Sequence, residues 1–298
     1  MVWIVVFFIA FCLALFFSVI FRLTVFHFMS VVYNGIVDFY YYLFKKGYNK
    51  LEMGFLICYV ALFGKGKTLS VVHYVVGQYR RYNGKLVWSK EKKKYVTQVI
   101  EVLSNVELKT IPYTPFISLA QIIECADKNK QLDELNDTLT CTLVLGDEFS
   151  VMMNSRTFKT NISTPFLNTL LTCRHYHCSI VYNAQRFNQV DALLRQVTSF
   201  CISCNKIWRY QILEYFDAWE MENCSDPTVL VPKKRTGWFI KNKHFNEFDT
   251  LACVEQLSKS DFMTNEEILA SQCATAANMD AIVKPSKKFI KSRKKMTK

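Results

Sequence analysis

No charged residue occurs between Val2 and Phe21, and only Met1 precedes this apolar run. The basic start and small-residue cleavage site of a secretory signal peptide are therefore missing, which argues against a cleaved leader. A helix needs about 20 apolar residues to cross a hydrocarbon core of ~30 Å. We therefore predict a retained transmembrane anchor over residues 1–22.

A dense cysteine framework is also absent. The 11 cysteines are spread singly through apolar stretches, which excludes a small disulfide-rich secreted domain and indicates a reducing compartment. The tightest group of cysteines and histidines contains ligand types suitable for zinc. Its residues fall at a predicted helix end and on two predicted buried strands, which favours a structural role. The group consists of Cys173, His175, His177, Cys178, Cys201 and Cys204.

Composition limits the partners of the chain. Hydrophobic residues make up 51% of it and aromatic residues 15%, and much of this excess lies in the first sixty residues, which indicates a membrane. The formal net charge of +12 favours anionic partners, either nucleic acid or anionic lipid. With 298 residues, the chain has room for one catalytic core and appendages.

Basic residues follow the apolar run, first Arg22 and then Lys45, Lys46 and Lys50. The positive-inside tendency therefore places the remainder of the chain in the cytoplasm. Residues 23–50 are again apolar and aromatic, which predicts a second apolar helix. This helix could span the membrane, lie at its interface or pack on the first.

A phosphate-binding motif follows a predicted buried strand at Gly54–Val60. The segment that ends at Thr68 fits G-x-x-x-x-G-K-[ST] except at its first position, where Ala61 replaces glycine. A predicted helix, Leu69–Tyr79, would direct its N-terminal amides at phosphate groups. Lys67 would reach the β- and γ-phosphates of ATP, and the Thr68 hydroxyl would bind Mg²⁺. The predicted nucleotide-binding residues are Gly64, Lys65, Gly66, Lys67, Thr68 and Leu69; a turn between two membrane-proximal elements is the alternative.

A second motif favours nucleotide binding over that alternative. The apolar run Leu139–Gly146 predicts a buried strand that ends in Asp147 and Glu148. This is the arrangement in which an Asp coordinates Mg²⁺ beside a Glu that activates water, so we assign Asp147 to the metal and Glu148 as general base. We expect the two motif strands to be adjacent and their carboxyl ends to share one crevice. The predicted fold is an α/β P-loop NTPase core with a mostly parallel sheet over residues 51–255, preceded by one or two transmembrane helices.

Further catalytic candidates follow in the chain. A third predicted strand, Ser179–Ala184, ends at Gln185, which could sense the γ-phosphate or orient water, although a lone glutamine is more often a surface residue. Arg195 lies in a helical segment and could serve as an arginine finger for a neighbouring subunit. Arg174 and Arg156 are alternative fingers. The predicted catalytic residues are Lys67, Glu148, Gln185 and Arg195.

The order of these motifs resembles the Zot-type ATPases, the family of the filamentous-phage assembly protein and zonula occludens toxin, within the FtsK and HerA branch of P-loop motors. The specific matches are Gly64–Thr68 and Gly146–Glu148. Weaker matches follow in order at Leu103–Asn105, Asn154–Arg156, Arg174–His177, Ala184–Gln185, Asp191–Arg195 and Phe248–Thr250. The resemblance covers Gly54 to Thr250. It implies an ATPase at the host membrane that powers virion extrusion as coat proteins pass from the bilayer onto exiting single-stranded DNA.

Two features depart from that family. Ala61 and Phe63 stand where the family's loop has a glycine and often a proline. This difference bears on the affinity for nucleotide but not on the basic geometry of the loop. The predicted anchor precedes the ATPase domain, whereas it follows that domain in the phage assembly proteins. We hypothesise that the host lacks an outer membrane and that no external docking domain is needed. Occurrence of the protein in a double-membraned host would contradict this hypothesis.

Basic residues are concentrated in two further segments. Residues 80–95 interleave basic and aromatic side chains, which suits nucleic acid or lipid headgroups, or simply a solvated hairpin. After a C-terminal extension at 256–283, residues 284–298 predict a disordered basic tail. The tail could tether the chain to anionic lipid or DNA, or only add solubilising charge.

Three functions fit these observations. The first is a ring-forming homo-oligomer that hydrolyses ATP to assemble and extrude filamentous phage, with coat proteins and single-stranded DNA or a DNA–protein complex as partners. The second is a viral DNA packaging or translocating ATPase, which DNA would stimulate. The third is a non-hydrolysing membrane scaffold with an altered P-loop.

Overall fold

The computed structural model describes residues 2–116, 119–148, 173–224, 226 and 229–249. Within these ranges a central sheet carries helices on both faces, and three apolar helices precede it. The predicted extension, the basic tail and the match at Asn154–Arg156 lie outside the described residues.

The N-terminal apolar segment is broken at Ser18. Helix α1, Val2–Phe17, ends there, and α2, Val19–Phe26, begins. Ser18 adopts an extended conformation, and its hydroxyl accepts a hydrogen bond from the Phe21 amide at 3.2 Å. A serine that caps new helical amides in this way starts a helix, so the predicted anchor over residues 1–22 is not one continuous helix.

A third apolar helix, α3, covers Phe28–Leu43. In the part of the chain that the structure describes, no single helix is long and apolar enough to cross a membrane. Helices α2 and α3 meet the requirement only as a pair that bends by 91°.

The remaining elements alternate between strands and helices. The strands are β1 Leu56–Val60, β2 Leu86–Ser89, β3 Lys94–Ser104, β4 Glu107–Leu108, β5 Thr114–Pro115, β6 Thr138–Gly146, β7 Cys178–Ala184, β8 Phe200–Ile207, β9 Tyr210–Asp217, β10 Lys234–Phe239 and β11 Phe248–Asp249. The helices are α4 Lys67–Tyr82, α5 Leu119–Leu135, α6 Ala192–Val197, α7 Ala218–Asn223 and α8 Asn242–Phe245.

Nine of these strands form the main sheet, in the order β10-β9-β8-β1-β7-β6-β3-β2, with β5 paired to β3. The central pairings from β8 to β3 are all parallel, while β2, β9 and β10 pair antiparallel at the sides. This confirms an α/β fold with a mostly parallel sheet. The carboxyl ends of β1, β6 and β7 therefore lie along one edge, and their amino ends lie along the opposite edge.

Alternating side chains of the buried strands supply the cores on both faces. Ile57 and Tyr59 of β1 pack with the valines of α4, whereas Leu56 and Cys58 pack on the other face with α5 and α6. The sheet is buried on both sides, as the continuous apolar runs in the sequence predict. Its rigid interior fixes the positions of the loops that leave the carboxyl edge.

Candidate nucleotide-binding site

The loop between β1 and α4 turns through two glycines in the left-handed region. Gly64 has φ 74° and Gly66 has φ 78°, where glycine carries no steric penalty. Ala61 is not among the residues with positive φ and packs in the core beside β1. The glycine expected at that position is therefore not required by the backbone of this loop.

Helix α4 begins at this loop with amide donors that its own helical hydrogen bonds do not use. Its first helical hydrogen bond runs from the Ser70 amide to the Gly66 carbonyl at 2.9 Å, so the amides of Lys67, Thr68 and Leu69 lie ahead of it. Such amides and the helix dipole favour an anion at this end. Lys67 is nearly buried, 8% exposed, and its ammonium lies 5.9 Å from the ring centroid of exposed Phe63.

Gln211 supports the loop from the neighbouring part of the sheet. Its side chain is fully buried on β9, and its Nε2 donates to the Lys65 carbonyl at 3.1 Å. Its Oε1 is buried, has no hydrogen-bond partner among the described residues, and lies 2.4 Å from where a Cβ on Gly66 would stand. A side chain at Gly66 would therefore require Gln211 to move. Lys65 itself points outward and donates from Nζ to the Asn205 carboxamide at 3.1 Å.

The predicted metal residues meet across the site. The Thr68 hydroxyl donates to Oδ1 of Asp147 at 2.9 Å, although the two residues are 79 positions apart in sequence. Asp147 is 8% exposed. A hydroxyl and a carboxylate oxygen are the kind of ligands that Mg²⁺ takes, alongside phosphate oxygens and water. The arrangement fits a Mg²⁺ ion carried with a bound nucleotide.

Two asparagines that the sequence did not single out as site residues hold this arrangement. Asn183, at the end of β7, donates a hydrogen bond to the Asp147 carboxylate and accepts one from the Glu148 amide at 2.8 Å. Asn105, just beyond β3, accepts the Asp147 amide at 2.7 Å and donates to the Asp147 carbonyl at 2.9 Å. Each lies at a strand end on the carboxyl edge, the one local signal that could have identified it.

Glu148 stands in a left-handed conformation with φ 47°. For a residue with a side chain this conformation is uncommon, and residues in such conformations often belong to functional sites. The bond from its amide to Asn183 holds it there. Glu148 is thus fixed beside Asp147, as a general base of this site would have to be.

The strand order differs from the predicted one in a single respect. Strands β1 and β6 are not adjacent, because β7 lies between them and pairs parallel with both. The motifs still share the carboxyl edge, and the insertion of β7 is what delivers Asn183 between Thr68 and Asp147. Gln185 follows β7 at the same edge and is partly exposed; its role stays a prediction.

The arginine candidates are placed elsewhere. Arg195 on α6 lies 3.9 Å from Glu222 of α7, with both side chains largely buried. Arg174 lies against Gly54, before β1 and β7 and therefore at the amino edge opposite the P-loop. Arg156 is outside the described residues. Of the two candidates that the structure describes, neither Arg195 nor Arg174 is brought to the P-loop of its own chain.

The cysteine and histidine group does not assemble into a metal site. Within the described ranges, no set of three or more His, Cys, Asp or Glu side chains is placed to hold a metal ion. Burial raises the pKa of the Cys204 thiol to about 12 and also raises the pKa of Cys178. Desolvation in the apolar core is the main cause of both shifts. Both cysteines act as core side chains of β7 and β8.

Solved structures with a similar fold include the N-terminal domain of zonular occludens toxin from Neisseria meningitidis. That domain is 16% identical, with 66% of this chain and 100% of that chain covered, at a TM-score of 0.45. The genome packaging NTPase B204 from Sulfolobus turreted icosahedral virus 2, in complex with ATP-gammaS, is 8% identical over 63% and 98% of the two chains at a TM-score of 0.39. Thermomonospora curvata EccC (ATPases 2 and 3), in complex with a signal sequence peptide, is 6% identical over 62% and 37%, at a TM-score of 0.38.

A zonular occludens toxin domain is thus among the solved structures that this chain is similar to. The FtsK and HerA branch stays a prediction. No family model matches the sequence, and no curated protein matches it. At these identities the comparisons concern the fold alone.

Proposed function

We propose that the chain is a Mg²⁺-dependent ATPase of the P-loop class. The observation that carries the proposal is the 2.9 Å hydrogen bond from Thr68 to Asp147 at the N-terminus of α4. It unites the two motifs that ATP hydrolysis requires at one edge of the sheet. The N-terminal amides of α4 and the buried Lys67 complete a phosphate-binding end.

Each residue has a definite task in this proposal. The amides of Lys67, Thr68 and Leu69 and the Lys67 ammonium bind the phosphates, and Thr68 and Asp147 hold the metal. Mg²⁺ supplies positive charge that stabilises the phosphoryl group during transfer. Glu148 accepts a proton from the attacking water. Asn183 keeps Asp147 and Glu148 in place.

The N-terminal helices favour a motor that works at a membrane. Large apolar side chains of α1 to α3 are exposed, including Phe7, Phe16, Ile20, Phe26 and Met29. Exposed apolar side chains on three successive helices are expected to be covered by a membrane or a partner. We therefore propose that a ring of these chains at the host membrane couples ATP hydrolysis to the extrusion of filamentous virions, with coat proteins and single-stranded DNA as partners.

A viral DNA packaging ATPase fits the same site and the charge of +12. The two functions differ in their response to nucleic acid. A packaging motor is expected to hydrolyse ATP faster when double-stranded DNA is added, and an extrusion motor is not. Measuring steady-state ATP hydrolysis by the full chain in vesicles, with and without double-stranded DNA, separates the two functions.

Two substitutions test the ATPase itself. Lys67→Ala should abolish nucleotide binding, because the buried ammonium at the phosphates is lost. Glu148→Gln should retain binding and lower turnover by about 10² to 10⁴-fold, the usual contribution of a general base. Glu124→Gln, on the exposed face of α5, is the matched control and should hydrolyse ATP as the unmodified chain does. Equal phosphate release by Glu148→Gln would refute the assignment of the base.

A further inference from the structure

The end of α3 carries an aromatic and basic cluster. Tyr40, Tyr41 and Tyr42 are exposed, and Lys45 and Lys46 follow one turn later. Tyrosine rings beside lysines are typical of the level at which a bilayer meets water. If the N-terminal helices lie in a membrane, as proposed above, the end of α3 stands at the lipid headgroups.

The hairpin formed by β2 and β3 is fixed to this end of α3. The Tyr95 hydroxyl donates to the Phe44 carbonyl at 3.0 Å. The Lys45 ammonium lies 3.6 Å from the ring centroid of Trp88, a distance at which the cation and the ring attract each other. The hairpin is thereby held at the same level as the tyrosines of α3.

The turn of the hairpin adds positive charge to that level. The Lys90 ammonium lies 5.3 Å from the ring centroid of Tyr41, and Lys93 is exposed at the turn. Lys92 does not contribute, because its ammonium binds the Asp133 and Asn136 carbonyls. Exposed Glu91 in the same turn offsets one of the charges, and the balance of the turn stays positive.

The hairpin also lies at the amino edge of the sheet. Strand β3 runs parallel to β6, so its first residue, Lys94, lies at the edge where the parallel strands begin. The P-loop lies at the other edge. A contact between the hairpin and a bilayer would therefore direct the nucleotide site away from the membrane.

We propose that this surface docks the ATPase domain onto the anionic headgroups of the bilayer. We call it the basic collar and define it as Tyr41, Lys45, Trp88, Lys90, Lys93 and Tyr95. Its lysines attract anionic lipid, and its rings enter the interface beside the apolar face of α3. The direct continuity of the collar with α3 favours lipid over nucleic acid, and the proposal rests on the membrane association proposed above.

The test places the full chain in nanodiscs and measures the fluorescence of Trp88. The difference between the unmodified chain and Trp88→Phe isolates this residue from the other four tryptophans. Headgroup spin-labelled lipid should quench the difference signal, at least about twofold more in discs with phosphatidylserine than in purely zwitterionic discs. High salt should reduce the effect, because it screens charges at the surface.

Charge-reversal variants form the second part of the quenching experiment. Lys90→Glu with Lys93→Glu should halve the quenching or reduce it further. Lys241→Glu with Lys243→Glu reverses two exposed lysines near the nucleotide edge and should leave the quenching unchanged.

Absent or lipid-independent quenching in chains that enter the discs would overturn the docking proposal alone. A chain that does not enter discs at all would refute the proposed membrane association. If the hairpin variant keeps its quenching but loses affinity for single-stranded DNA, the collar is a nucleic-acid surface and the lipid proposal is wrong.

Discussion

At the scale of single residues, the two glycines of the P-loop make unequal demands. Both have positive φ, so alanine at either costs about 1–2 kcal/mol in backbone strain. Only at Gly66 would the new Cβ also meet Gln211, at 2.4 Å, while nothing lies within 4 Å at Gly64. We expect Gly66→Ala to weaken binding of a fluorescent ATP analogue at least about tenfold, and Gly64→Ala clearly less.

The contact with Gln211 can be tested directly by a double-mutant cycle. Gln211→Ala removes the atom that a Cβ on Gly66 would strike, although it also removes the bond to the Lys65 carbonyl. The affinity of the double variant Gly66→Ala with Gln211→Ala should therefore exceed the value expected from the two single losses. Simple additivity would show that Gln211 does not restrict this loop.

Asn183 is expected to act through the acids that it holds. Asn183→Ala should lower kcat by about 10- to 100-fold, the usual effect of losing a residue that orients metal ligands, with a smaller change in KM for ATP. Asn223→Ala serves as the control, because among the described residues its carboxamide bonds the Trp219 carbonyl of its own helix alone. A loss of affinity without a loss of kcat would contradict the proposed role.

At the scale of elements, the sequence patterns predict the parts of the fold that depend on local composition. The apolar runs before the two motifs become β1 and β6, and the helix expected at Leu69–Tyr79 is found as α4, Lys67–Tyr82. Buried strands and phosphate loops have local signatures, because each strand must be apolar on both faces and each loop needs its glycines.

Other features of the fold depend on partners distant in sequence. Asn183 meets Asp147 only because β7 enters the sheet between β1 and β6, which no local pattern specifies. Gln211 reaches the P-loop from a strand 146 residues away. The break at Ser18 is different, because its capping bond is local; the apolar character of the flanking residues concealed it.

Helix α4 is joined to the C-terminal elements by two histidines and a tryptophan. The His73 ring stacks on Trp238 with centroids 3.8 Å apart, and His244 contacts both rings. Burial lowers the pKa of His73 and of His244; each is further lowered by nearby positive charge, and Glu247 opposes the shift. Both imidazoles are therefore neutral in the folded chain at neutral pH.

The sign of the pH dependence follows from these lowered pKa values. Below the ordinary histidine pKa of 6.5, the unfolded chain binds protons before the folded chain does, so stability falls as the pH drops. Denaturant midpoints measured between about pH 7.5 and 5 should decrease, and less steeply in His73→Phe, which keeps a ring against Trp238. His177, whose pKa burial also lowers, should retain part of the slope. An unchanged slope in His73→Phe would exclude the cluster as the cause.

At the scale of the whole molecule, the placement of the arginines bears on assembly. Arg195 lies against Glu222 of its own chain, and Arg174 lies at the far edge of the sheet, so neither of these two described candidates reaches the P-loop beside it. Phosphoryl transfer in P-loop enzymes gains about 10³ to 10⁵-fold from an arginine supplied in cis or by a partner. A second copy of the chain that supplies this charge would make hydrolysis a property of the ring.

Mixing inactive with active chains tests this property. If each chain works alone, adding Glu148→Gln chains at constant total concentration lowers ATP turnover in proportion to their fraction. If neighbours complete each other's sites or fire in sequence, a mixture with half inactive chains should retain clearly less than half of the activity. Diluting the unmodified chain with buffer to the same active concentration measures how much activity is lost through dissociation alone. Turnover that follows the straight line after this correction would show that each site is complete within one chain, and the required cation would then have to be sought among residues such as Arg156 of the same chain.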